Sequence, residues 1–271
     1  MCIAKFESQL KEDHPLFKAL AETNAPEWWN KVKNHPKLYI DIRKGNYINV
    51  YYYGASIARI EMKRGEKLSA KTHPKYLGYD NKSDSKYYKQ SAKDKKYYDP
   101  IYQDCTNELQ NKLDELLKQA DAVYVNRNNN PENISEKKIQ GGVILDSRRV
   151  YIDSEFAHRY EEGKRKTIRI DLVRLKENRI QFVELKRIQD QRMNPKTKAK
   201  PEVLTQIKEY KKFLSKNKAA ILGYYKKLLS IKKQLSLPIP DVVIDKIDLD
   251  TTPILLIADY TSSIEEDKKR I

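Results

Sequence analysis

A mixed α/β protein with two regions is predicted from three observations. First, three β-rich segments with glycine at their turns crowd into residues 38–62. Second, apolar residues recur at helical spacing over 106–120, 201–216 and 217–235. Third, residues 167–186 read as a β-hairpin, and PILLIAD at 253–259 reads as a short apolar strand suited to a buried parallel position. Residues 1–105 are therefore expected to form an α+β region built on an antiparallel meander. Residues 106–271 are expected to form a mixed central sheet flanked by helices.

Composition bounds the possibilities. The 271 residues are 39% hydrophobic and 34% charged, which is globular and heavily charged at the surface. A net charge of +16 favours a polyanionic partner, nucleic acid or an anionic membrane, against the plainer reading of a solvated basic surface. Tyrosine, at 19 residues, far exceeds the five Phe and two Trp. Its ring packs while its hydroxyl stays wet, and it can stack on bases. With only Cys2 and Cys105 there is no disulfide framework and no cysteine-rich metal site, as expected of a reducing cytoplasm. No apolar run approaches a membrane span, and MCIAKFESQLKEDHP lacks a signal-peptide core. The expectation is a soluble cytoplasmic protein without a membrane partner.

In chain order, Phe6, Leu10, Leu16, Phe17 and Leu20 suit one or two short helices around Pro15, and APEWWNKV suits a helix start with Trp28 and Trp29 as core anchors. LYIDIR (38–43), YINVYYY (47–53) and SIARIEM (56–62) make the meander. Ile48 and Val50 share one face of it; Tyr47, Asn49 and Tyr51 share the other. Residues 63–103 interleave lysine with tyrosine. They read either as a nucleic-acid-binding loop or as a surface insertion. The dipeptides His14-Pro15, His35-Pro36 and His73-Pro74 recur, and no histidine has metal-ligand spacing to another. TNELQNKLDELLKQA predicts an amphipathic helix capped by Thr106, followed by a polar loop at 126–133. SEKKIQ predicts a short helix capped by Ser135 and stopped at Gly141-Gly142. Residues 148–156 predict a strand and 158–166 a charged turn. After an extended basic loop (191–200), Pro201 starts a helix that packs through Leu204, Ile207, Phe213 and Leu214, and a lysine-rich helix follows. The tail EEDKKRI reads as solvated.

The hairpin carries the chemistry. Asp171 interrupts an apolar strand, and Glu184 and Lys186 share one face of the next, after a turn at Lys176-Glu177-Asn178. Two carboxylates held on adjacent strands can chelate a hard divalent cation, and a lysine beside it can orient or deprotonate water and neutralise developing charge. The plainer reading is a hairpin with cross-strand ion pairs, each worth about 0.2–1 kcal/mol. Gln206 and Tyr210, at i and i+4, share a face of the helix that follows.

This ordered set resembles the PD-(D/E)xK nuclease superfamily over roughly residues 134–260. The resemblance implies a restriction-endonuclease-like core and a metal-dependent nuclease that hydrolyses phosphodiester bonds, with DNA favoured over RNA, in restriction, defence or repair. It implies that Asp171, Glu184 and the Leu185 carbonyl bind Mg²⁺, with Mn²⁺ as substitute, and that Lys186 serves the water nucleophile. Gln206 and Tyr210 would line the site, with Lys208 and Arg187 contacting nucleic acid. The first-motif carboxylate is Glu136 on the helix before the sheet, with Glu155 as its rival. A proline expected before Asp171 is replaced by Ile170. Double-strand cutting would favour a homodimer. A catalytically silent nucleic-acid-binding protein on the same fold is the alternative, because fold does not guarantee chemistry.

Overall fold

The computed structural model describes residues 5–65, 67–79, 81–82, 84–94, 97–125, 135–162, 164–193 and 201–259. Cys2, the polar loop at 126–133, most of the basic loop at 191–200 and the EEDKKRI tail lie outside them. The chain is mixed α/β and forms two compact units. The N-terminal unit comprises Leu10–Asp146 with Gln234–Leu237; the C-terminal unit comprises Met1–Gln9, Ser147–Lys233 and Pro238–Ile271. The division thus follows Asp146 rather than residue 105. Among the described residues no helix is long and apolar enough to cross a membrane.

The N-terminal unit opens with α1 (Pro15–Ala21) and α2 (Glu27–Asn34). The meander follows as β1 (Leu38–Arg43), β2 (Tyr47–Tyr52) and β3 (Ala55–Lys63). The alternation in the sequence is legible in the packing: Ile48 and Val50 are buried, while Tyr47 and Asn49 are half-buried. Tyr51 is buried as well, with its ring stacked on Tyr39. The segment expected to be a loop instead adds β4 (Lys67–Thr72), the short ribbon β5 (Tyr88–Gln90) and β6 (Tyr98–Pro100), and β7 (Gln103–Asp104). β4 and β7 extend the meander sheet, in the order β1-β2-β3-β4-β7. KLSAKT has no β-branched run, so its strand state comes from pairing with β3 rather than from propensity.

The helix expected at 106–120 is broken at Lys112 into α3 (Thr106–Asn111) and α4 (Leu113–Ala120). Thr106 is the first helical residue rather than the cap; its N–H donates to Asp104 Oδ1 at 3.0 Å. Ser135 does cap α5 (Glu136–Asp146), accepting from Lys138 N, but Gly141-Gly142 does not stop that helix. Gly141 lies against the β2–β3 turn: a Cβ there would meet Gly54 N and the Tyr53 carbonyl carbon at 2.5 Å. Gly54 in turn has φ +85 and would place a Cβ 2.2 Å from Lys137 O. The glycines allow a backbone-on-backbone crossing, which local sequence reads as a break.

The three His-Pro dipeptides share one geometry. In each, the imidazole Nδ1 accepts the N–H of the residue after proline: Leu16 and Lys37 at 3.2 Å, Lys75 at 3.1 Å. At His14 and His73 this caps a helical turn that proline begins. The cap needs a neutral ring.

In the C-terminal unit, β8 (Tyr151–Glu162) and β9 (Lys164–Lys176) form a long hairpin through the region expected to be a charged turn. His158 pairs with Ile168 and Arg159 with Thr167, so strand pairing overrides the polar composition. β10 (Arg179–Arg187) follows a two-residue turn, Glu177 at φ 53 and Asn178 at φ 59, as tight antiparallel hairpins require. Then come α6 (Glu202–Lys216), α7 (Lys218–Gln234), β11 (Asp248–Leu249) and β12 (Ile254–Ala258). β12 runs parallel to β10 as expected, but it is half-exposed rather than buried. α6 buries Val203, Tyr210, Phe213 and Leu214, leaving Leu204 41% exposed. The i, i+7, i+10 spacing from Val203 sets the face, and Leu204 stands one residue off it. Phe6 N donates to Asn217 Oδ1 at 2.7 Å, and its ring stacks on Phe156.

Two outcomes are expected. Gly141→Ala should cost about 1–3 kcal/mol in urea unfolding, from overpacking against backbone. Gly142→Ala, with nothing within 4 Å of the new methyl, should instead stabilise by about 0.5–1 kcal/mol. The second outcome concerns pH. Burial, then the charges of Lys75 and Lys82, pushes His73 from 6.5 down to about 4. The unfolded chain therefore binds this proton near pH 6.5 and the folded unit does not until about pH 4. Stability present above pH 6.5 should fall as pH drops through that window, and His73→Asn, which caps without titrating, should flatten the urea midpoint across it.

Candidate functional site

β10 changes partners along its length. Its first half pairs with β9 as far as Val183 opposite Leu172; from Val183 to Arg187 it pairs with β12. The next backbone donor on the β9 side, Leu185 N–H, is taken by the Asp171 carboxylate at 2.9 Å. An acidic side chain in an apolar strand thus substitutes for a ladder hydrogen bond at the point where β9 and β10 cease to pair. Alternation from Phe182 brings Glu184 and Lys186 to the same face, and both are buried.

The Lys186 ammonium is the centre of the cluster, with the side chain only 1% exposed. It lies 2.7 Å from Glu184 Oε1 and 3.5 Å from Asp171 Oδ2. It donates to the Leu185 carbonyl at 2.6 Å. Three hard oxygens, two of them ionisable, therefore converge on one cation. Gln206 Nε2 on α6 donates to Glu184 Oε1 at 2.9 Å and also to the Tyr210 hydroxyl. Tyr210 donates to the Arg169 carbonyl on β9. Burial, then the charge of Glu184, pushes the Tyr210 hydroxyl well above its usual value, so it remains a neutral donor. The chain Arg169–Tyr210–Gln206–Glu184 fixes the buried carboxylate from α6.

The structure therefore brings Asp171, Glu184, Leu185, Lys186, Gln206 and Tyr210 together. Glu155 stands on β8 between Ser154 and Phe156, which pair with Leu172 and Ile170, so the register carries it past Asp171. Its φ is 50, a left-handed conformation that costs a non-glycine residue about 1–3 kcal/mol and that recurs at functional sites. Glu136 begins α5 in the N-terminal unit. Lys208 is exposed on α6, and Arg187 donates to Asp259 at 2.6 Å. Sequence reasoning missed Asp190 and Arg192 just beyond β10. Arg192 grips Asp190 through Nε at 2.9 Å and Nη2 at 2.5 Å. That hydrogen bonding holds the Asp190 carboxyl below its usual range against burial, and the charge of Lys186 adds to the effect. The signal was present as an acid–x–arginine triplet directly after the strand.

Among the described residues there is no cluster of three or more His, Cys, Asp or Glu side chains that could hold a metal. The oxygen set at Lys186 has another composition, two carboxylates and a backbone carbonyl. These are the ligand types that a hard divalent cation takes, and in this structure they hold the Lys186 ammonium. No protein-family model matches the chain, and no curated protein or solved structure matches it either.

Removing the ammonium from this site should leave the buried Glu184 carboxylate without its cation. Lys186→Met should lower unfolding stability by about 3–5 kcal/mol in metal-free buffer, the cost of orphaning a buried charge. Adding Glu184→Gln should recover most of the loss; urea titration of the single and double variants reads both.

Proposed function

We propose that this protein is a metal-dependent nuclease that hydrolyses phosphodiester bonds, with DNA as the preferred substrate. The observation that carries the reading is the convergence of Asp171 Oδ2, Glu184 Oε1 and the Leu185 carbonyl on the buried Lys186 ammonium. A buried ion cluster is a poor route to stability, since well-packed apolar residues often serve as well or better. Retaining it is consistent with a chemical role. The resemblance to the PD-(D/E)xK superfamily assigns these same atoms to a Mg²⁺ site. The sheet order β8-β9-β10, with β12 parallel to β10 and α6 carrying Gln206 and Tyr210, accords with a restriction-endonuclease-like core.

Asp171, Glu184 and the Leu185 carbonyl would hold the ion. When bound, Mg²⁺ supplies Lewis-acid polarisation of a phosphoryl oxygen and a lowered pKa for coordinated water. Lys186 contributes a cation from an enclosed site, where its charge acts at low dielectric on negative charge developing at phosphorus. Gln206 and Tyr210 act as positioning residues for Glu184. Glu155, in the same sheet and strained beside Asp171, is the first-motif carboxylate we favour over Glu136. The basic chain, at +16, supplies affinity for the polyanion.

The test is cleavage of duplex DNA, single-stranded DNA and RNA in Mg²⁺ or Mn²⁺, with chelator controls. Asp171→Ala and Lys186→Ala should each lower the rate by at least about 10²-fold. Undiminished cleavage in both site variants, or none by the parent chain on all three substrates, would sink the proposal. Binding without cleavage by the parent chain would point to the silent nucleic-acid-binding alternative.

A further inference from the structure

The tyrosines of the N-terminal unit sort into two sets. Between β4 and β7 the chain leaves the sheet, and the described residues of this excursion make defined contacts. Tyr76 and Tyr88 are buried beneath it, and the Tyr88 hydroxyl donates to the Tyr79 carbonyl at 2.9 Å. His73 caps its first turn and meets the edges of the Tyr76, Tyr88 and Tyr102 rings. On the outside stand Tyr79 (42% exposed), Tyr97 (66%), Tyr98 (42%) and Tyr102 (55%). Among the residues whose side chains are described these are all the strongly exposed aromatic rings, and they fall within one short segment.

Tyr79 lies flat on Tyr87, with centroids 3.9 Å apart and planes 8° from parallel. The Lys86 ammonium lies 5.1 Å from the Tyr87 ring. Tyr87 thus supports one face of Tyr79. Lys82, Lys89 and Lys93 are exposed in the same excursion. Residues 63–103 hold eleven lysine or arginine residues against five acidic ones.

We propose that this tyrosine–lysine excursion is a docking surface for unpaired nucleic acid, with bases stacking on the exposed rings and phosphates meeting the lysines. The chemistry separates this partner from others. Exposed rings on a segment that also carries the exposed Lys82, Lys86, Lys89 and Lys93 match a strand that alternates bases with phosphates. An anionic bilayer would call for Trp, Phe or Leu to enter the acyl boundary. Both tryptophans are buried here, and no Phe, Trp or Leu is among the strongly exposed residues of the excursion. A protein interface would call for a contiguous apolar core, whereas the exposed residues between Tyr79 and Tyr97 are mostly lysines and other polar groups. The inference goes beyond the nuclease reading and stands without it, because stacking requires neither a metal nor the Asp171 cluster.

The test uses the full chain carrying Asp171→Ala, in chelator, so that cleavage plays no part. Binding of a labelled single-stranded oligothymidylate is measured by fluorescence anisotropy beside a duplex of equal length. Tyr97→Ala with Tyr102→Ala should weaken single-strand binding by about 5- to 100-fold per stacked ring and duplex binding far less. The matching Phe substitutions should restore it, since stacking needs the ring and not the hydroxyl. Lys86→Gln with Lys89→Gln should reduce the salt slope of log affinity by about 0.7 for each phosphate that is no longer neutralised. Unchanged single-strand affinity in the alanine variant would overturn the proposal. So would equal losses on duplex and single strand, or Tyr-dependent capture by phosphatidylserine vesicles in place of oligonucleotide. Circular dichroism of each variant distinguishes a missing stacking platform from a misfolded chain. Cleavage by the Asp171-intact protein is scored apart, so this inference and the nuclease reading can fail independently.

Discussion

The Lys186 ammonium is nearly sealed from water, and the C-terminal unit is arranged around keeping it there. Desolvating a cation costs several kcal/mol unless oxygens replace its hydration shell. Three oxygens do so: Asp171 from β9, and Glu184 and the Leu185 carbonyl from β10. Each imposes a condition on the chain. The strand must alternate so that Glu184 and Lys186 face the same way. α6 must also lie where Gln206 reaches Glu184, and Tyr210 must anchor α6 to β9 through the Arg169 carbonyl. A half-satisfied network of this kind is worse than an apolar core, so these interactions stand or fall together.

The partners of the backbone explain where the cluster sits. β10 pairs with β9 over its first half and with β12 over its second, and at the exchange one N–H, that of Leu185, would be left without a ladder acceptor. Asp171 accepts it. The same carboxylate therefore satisfies a stranded backbone donor and forms one side of the charged cluster. The left-handed backbone of Glu155, where β8 passes this point, places local strain in the same part of the sheet. Strain that persists in a paired strand must be held by its surroundings, which is the usual condition of a pre-organised site.

The N-terminal unit shows a different use of polar residues. His14 and His73 act through neutral rings as caps before proline, and the unit's tyrosines divide between support and display. Tyr76 and Tyr88 are buried, while Tyr79, Tyr97, Tyr98 and Tyr102 are exposed. One amino-acid type serves both purposes because the ring packs like an apolar residue and the hydroxyl accepts water.

Local periodicity by itself determined which residues share a face. Period-two alternation with Ile, Val and Tyr was enough to place β1, β2 and β3. The i, i+4 spacing was enough to place Gln206 beside Tyr210, and the pattern around Glu177-Asn178 was enough to place the hairpin. What the local pattern left open was decided by partners distant in sequence. Gly141-Gly142 continues a helix because the Tyr53–Gly54 turn presses against it. Residues 158–162 and 164–166 are strand because β8 and β9 pair along their length, and α6 packs through Val203 rather than Leu204 because Tyr210 and Phe213 set its phase. The joining of Asp171, Glu184 and the Leu185 carbonyl on one buried ammonium is of the second kind. Alternation orients side chains, but only tertiary pairing removes the water between them, and their chemistry depends on that removal.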